Sequence, residues 1–142
     1  MNLHPLVQRL IDHDGAALLM PEALAAWLAR SGEHVLFFSG DTVRFPEALD
    51  VAAVLPELRA AFAGRFDIGV VPLEHEDAMA RRFGVQRWPA LVFLRGEGYL
   101  ATLCGMQDWS DFLARIAPAL EGPVTRAPTV GIPVVAAEPA AS

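Results

Sequence analysis

Leu3, Leu6, Val7, Leu10 and Ile11 recur at helical spacing, which predicts a short amphipathic helix over 3–13, broken by Asp14-Gly15. The run AALLM (16–20) is short enough for a strand. Pro21-Glu22 opens a second helix with Leu24, Trp27 and Leu28 on one face and Gly32 at its end. HVLFF (34–38) is compact, aromatic and β-branched and runs into Ser39-Gly40-Asp41, the pattern of a buried strand followed by a loop. Val51, Leu55, Leu58 and Phe62 mark a third helix that starts at Pro46-Glu47 and carries Pro56 inside it. RFDIGVVPL (65–73) predicts another buried strand, and EHEDAMARRFGV (74–85) a short helix closed by Gly84. Two apolar runs then flank Gly96-Glu97-Gly98, a hairpin signal. A last helix follows, capped by Asp108, with Trp109, Phe112, Leu113, Ile116 and Leu120 on one face. Helices alternating with strands and a closing hairpin predict a mixed central sheet, parallel early and antiparallel at one edge, with helices on both faces.

Composition narrows the function. The chain has 142 residues and is 54% hydrophobic, enough for one ordinary core. From Gly122 on, it holds four of the eleven prolines and much Ala, so 1–121 read as the folded domain and 122–142 as a disordered tail in which IPVV alone suggests docking. Net charge is −6 and every basic residue is Arg, a bias read here as one of codon usage. An acidic chain without a basic patch argues against nucleic-acid binding. No apolar run approaches a membrane span, and the acidic, His-containing start does not read as a signal peptide, so a cytoplasmic location is expected. The lone Cys104 cannot form an internal disulfide, and His4, His13, His34 and His75 lack metal-ligand spacing and read as surface or capping residues. No cofactor, metal or catalytic residue is implied.

Two features carry candidate binding chemistry. Asp41 follows a central strand at its C-terminal end, where open α/β sheets bind ligands, and it suits either a partner's Arg or a hydrogen bond to its own turn. Glu74, Glu76 and Asp77 surround His75 at a helix start, as a basic partner would require or as the helix dipole alone would favour.

The element order, the internal Pro56 and the segment RRFGVQRWPALVFLRGEGYLATLCG together resemble thioredoxin over roughly residues 16–120. The resemblance implies a thioredoxin-like three-layer α/β/α sandwich with a central mixed sheet. It makes Trp88–Pro89 a candidate cis bond and Gly105 the glycine that ends the last strand. Trp88 and Pro89 would then border the groove where extended peptides lie, with Trp88 either a platform for a peptide or packed on the neighbouring helix. Counted back from Pro56, the thioredoxin cysteine positions hold Ala48 and Val51, which excludes thiol–disulfide exchange there.

A thioredoxin-like chain of this length without the cysteine pair, with HVLFFSGD and RWPALVFLR, resembles the hydrogenase-maturation family known as HyaE, HupG or HoxO. The resemblance implies a redox-inactive chaperone. Its partner would be the precursor of the nickel–iron hydrogenase small subunit with its twin-arginine signal peptide, alongside other hydrogenase-maturation proteins. Two alternatives stand beside it: an oxidoreductase working through Cys104 alone, and a generic adaptor using the same groove. A homodimer through an exposed sheet edge is compatible with any of the three.

Overall fold

The computed structural model describes residues 3–128. Helix α1 (Pro5–His13) starts two residues later than its periodicity suggests, because His4 is its cap: Nδ1 of His4 accepts the Leu6 amide at 3.1 Å. Strand β1 (Ala17–Leu18) is shorter than expected. Pro21–Ala23 form a single 3-10 turn before helix α2 (Leu24–Leu28). Strand β2 (Glu33–Phe38), helix α3 (Glu47–Ala61, with Pro56 inside it), strand β3 (Phe66–Val70) and helix α4 (Glu76–Phe83) follow. Gly84, at φ +76°, ends α4 in the left-handed conformation that glycine tolerates. Strands β4 (Ala90–Arg95) and β5 (Gly98–Cys104) close round Gly96-Glu97, and helix α5 (Trp109–Glu121) ends the domain.

The sheet order is β1-β3-β2-β4-β5. β1, β3 and β2 run parallel, while β4 and β5 are antiparallel. Alternation along β2 sends Val35 and Phe37 to one face and Leu36 and Phe38 to the other, and all four are fully buried. The first face packs on α1, α3 and α5 through Leu10, Leu55, Leu58, Phe112 and Ile116. The second packs on α2 and α4 through Leu24, Trp27, Leu28, Met79 and Phe83. This is the thioredoxin-like three-layer sandwich. Each such large apolar side chain contributes roughly 1.5–3 kcal/mol by leaving water.

Three local expectations are corrected. His34 is not a surface residue: β2 is central, so its ring is buried, with Nε2 donating to the Arg30 carbonyl at 3.1 Å and Nδ1 left without a hydrogen bond. Asp108 precedes α5, but its side chain makes no capping bond; only its carbonyl accepts the Phe112 amide. Trp109 matches the helical spacing of α5 yet is 41% exposed at the helix start, so the buried stripe begins at Phe112.

Beyond α5 the chain turns along the outer edge of β5. Tyr99 and Thr125 exchange both backbone hydrogen bonds, at 3.0 and 2.8 Å, and Val124 lies so close over Gly98 that a Cβ there would collide with it. The greater part of the Pro/Ala-rich tail, including IPVV, lies outside the described residues.

Candidate functional site

The site forms where β2 ends. Gly40 stands at φ +68°, and a Cβ there would come within 2.8 Å of the Phe45 ring and 3.0 Å of the Trp88 indole, so only glycine fits. The loop after it folds on itself. Oδ1 of Asp41 accepts the Val43 amide at 2.9 Å, and its carbonyl accepts the Phe45 amide at 2.7 Å. This turn returns Phe45 towards Trp88, with ring centroids 6.5 Å apart and planes 28° from parallel. The Arg44 guanidinium lies over the Phe45 ring, 5.1 Å from its centroid.

The floor is one carboxyl group. Glu76, in the first turn of α4, is only 5% exposed. One of its oxygens accepts the Gly40 amide at 3.1 Å and the other accepts the Trp88 indole N–H at 2.8 Å. Burial is the largest influence on its acidity and pushes its pKa up to about 7, with the neighbouring Asp77 charge acting the same way; the Gly40 and Trp88 hydrogen bonds, and least of all the Ser39 backbone amide, pull it down. Gly40, Asp41, Arg44, Phe45, Leu73, Glu76, Asp77 and Trp88 together line an open cleft of about 260 Å³.

Asp41, Glu76, Asp77 and Trp88 are thus brought together. Glu74 is not: it is exposed on the 3-10 turn Leu73–His75, outside the cleft lining. Pro89 is buried behind Trp88 after a cis peptide bond, and its carbonyl accepts the Gly105 amide at 2.8 Å. Sequence reasoning gave Phe45 no contact and Leu73 no place in the site, and it treated Glu76 as one of three dipole-matched acids. One signal was there to read. Glu76 shares the helical stripe of Met79, Ala80 and Phe83, which is the buried face of α4.

No Cys, Ser, Thr, His or Lys side chain lines the cleft. Ala48 and Val51 are buried in the core on the α3 side of the sheet, and neither lines the cleft. Cys104 is partly buried opposite Ala90, and burial pushes its thiol pKa up, against the smaller opposing effect of Arg87 and Arg115. That disfavours the thiolate a nucleophile needs. Among the described residues no group of three or more His, Cys, Asp or Glu side chains is arranged to hold a metal ion, and no helix is long and apolar enough to cross a membrane. A larger hollow of about 440 Å³ lies along the outer face of α1 alone and gathers no convergent groups from other elements.

Comparison with known proteins agrees with this geometry. The family described as hydrogenase-1 expression protein HyaE matches residues 6–112. The hydrogenase expression/formation protein HoxO of Cupriavidus necator is 47% identical over 135 residues, covering 94% of this chain and 84% of that protein. HoxO of Azotobacter vinelandii is 43% identical, covering 84% of this chain and 80% of that protein. A crystal structure described as the hydrogenase expression/formation protein HupG from Rhodopseudomonas palustris superposes with a TM-score of 0.54 at 43% identity, covering 74% of this chain and 95% of that one. A family model that spans residues 6–112 and a relative 47% identical over 94% of the chain settle the family: this chain belongs to the HyaE family of hydrogenase expression/formation proteins.

Proposed function

We propose that this protein is a non-catalytic accessory of nickel–iron hydrogenase maturation that binds the small-subunit precursor, with its twin-arginine signal peptide, in the cytoplasm before export. The cleft between Gly40, Phe45 and Trp88 is the observation that carries the reading. Two aromatic rings supply apolar contact area, and the exposed Asp41 and Asp77, with Glu76 beneath them when ionised, give the lining a negative balance against the single Arg44. A basic, extended segment suits such a surface. The names of the relatives supply the context of hydrogenase expression and formation.

Co-purification with the small-subunit precursor, with and without its signal peptide, tests the reading. Retention of the full precursor, weakened by removing the signal peptide and by Trp88→Ala, is the expected result. Retention of neither form by the unmodified protein overturns it.

A further inference from the structure

Glu76 is an unusual choice for a buried position, and the two donors that meet it explain the choice. The Gly40 amide comes from the turn after β2, and the Trp88 indole N–H from the segment before β4. Each is directed at a different oxygen of the same carboxyl group. A carboxylate offers two acceptor atoms at that spacing, whereas an amide offers one acceptor and one donor. Gln in this place would leave either Gly40 or Trp88 facing an N–H. The β2–β4 ladder already aligns the two backbones as far as Phe38 and Ala90, just behind the cleft; beyond it the Gly40 turn and the Trp88 indole meet through Glu76, and Phe45 and Trp88 through their ring faces.

We propose that Glu76 is the positioning residue of the cleft, its two oxygens fixing the Gly40 turn and the Trp88 indole relative to each other so that the binding surface is formed before the partner arrives. This rests on the reading of the cleft as a peptide site and says which residue holds that site in shape. The charged groups that share the cleft with Glu76 are Asp77 on its own helix and Asp41 and Arg44 on the loop after β2; the 3-10 turn contributes only Leu73 and the segment before β4 only Trp88. Arg44 lies over Phe45, and among the described residues no cation pairs with Glu76. Its ionised form therefore draws its local hydrogen bonds from these two neutral donors, and those bonds strengthen when it carries charge. Burial places the transition near neutrality, at about 7.

The test reads the two donors directly. In the full-length protein, the amide resonance of Gly40 and the indole N–H resonance of Trp88 are followed by NMR from pH 5 to 9. Both are expected to shift with one common midpoint near 7, and both transitions are expected to vanish in Glu76→Gln while the rest of the spectrum stays dispersed. Affinity for the small-subunit precursor is expected to rise severalfold between pH 6 and 8 in the unmodified protein, and to be about tenfold lower and independent of pH in Glu76→Gln. Separate midpoints, or transitions that persist in Glu76→Gln, overturn the proposal, as does a variant that keeps the unmodified affinity and its pH profile. A shared transition at Gly40 and Trp88 without any precursor binding sustains Glu76 as the tie and defeats the peptide reading instead.

Discussion

Strand β2 ends in a buried glutamate environment at both of its extremities, roughly 20 Å apart by strand rise, and the two are opposites. At its start, Glu33 is held by two arginines: Arg65 Nε donates at 2.9 Å and Arg95 Nε at 2.9 Å. The same two guanidinium groups reach on to the end of α5, each donating to the Leu120 carbonyl at 2.7 Å, while Arg65 also pairs with Glu121. Burial alone would raise the Glu33 pKa, but the hydrogen bonds and charges of Arg65 and Arg95 outweigh it and hold the carboxyl below the usual range. Past the other end of β2, Glu76 meets only neutral donors and is raised instead. One end of the sheet is electrically closed and fastens a helix. The other holds a carboxyl group without a counter-charge beneath an open cleft. The first arrangement joins the sheet to the end of α5 through ion pairs, and the second joins the Gly40 turn to Trp88 through a carboxyl group with neutral partners.

Removing Glu33 should therefore cost the most. Glu33→Ala leaves two guanidinium groups facing each other without their shared anion. A fall of roughly 3 kcal/mol in unfolding free energy is expected from urea titration, at the low end for a broken buried pair because both arginines remain about one-third exposed. The two glutamates should also respond to acid in opposite directions. The contribution of Glu33, whose folded pKa is depressed, is present above the ordinary carboxylate range and is lost as pH falls through the folded value. Glu76, whose folded pKa is raised, favours the native state most below the ordinary carboxylate range and loses that contribution as pH rises to about 7. Between pH 4.5 and 8 the unmodified protein should lose roughly 2–3 kcal/mol relative to Glu76→Gln. Parallel pH–stability curves for the two proteins would remove the contrast.

Smaller effects sharpen it. Phe45→Ala removes a ring packed on Gly40 and Trp88 at the surface, so about 1 kcal/mol of stability is expected to go while precursor affinity falls about tenfold. Asp41→Asn should leave stability within about 0.5 kcal/mol, since the Asn carbonyl can still accept the Val43 amide, and should weaken precursor binding severalfold through its lost charge alone. Native Cys104 should react slowly with a thiol reagent, as expected of a thiol whose pKa burial has raised; rapid labelling would return the single-cysteine oxidoreductase to consideration.

Much of the fold was legible because it rests on local periodicity. The strands, the buried Leu55–Leu58 stripe of α3 and the left-handed stop at Gly84 all follow from residues near one another in sequence. The failures share a non-local cause. His34 lies inside because β2 is flanked by β3 and β4, which no window around residue 34 reveals. Among the acids of EHEDA the helical stripe singles out Glu76 as inward-facing, but not its partners, Gly40 from 36 positions earlier and Trp88 from 12 positions later. Of the two readings of Asp41, the hydrogen bond to its own turn is the one seen: Oδ1 accepts the Val43 amide, in a turn that also lines the cleft.

The central claim is that partners bind at the Glu76 end of β2 and leave the Glu33 end untouched. Adding unlabelled small-subunit precursor to isotopically labelled protein tests it most directly, reading Gly40 and the Trp88 indole at one end and the Arg65 and Arg95 side-chain Nε–H groups at the other. The account predicts saturable shifts at Gly40 and Trp88 with Arg65 and Arg95 unmoved. Shifts centred on Arg65 and Arg95, with Trp88 silent, would contradict it.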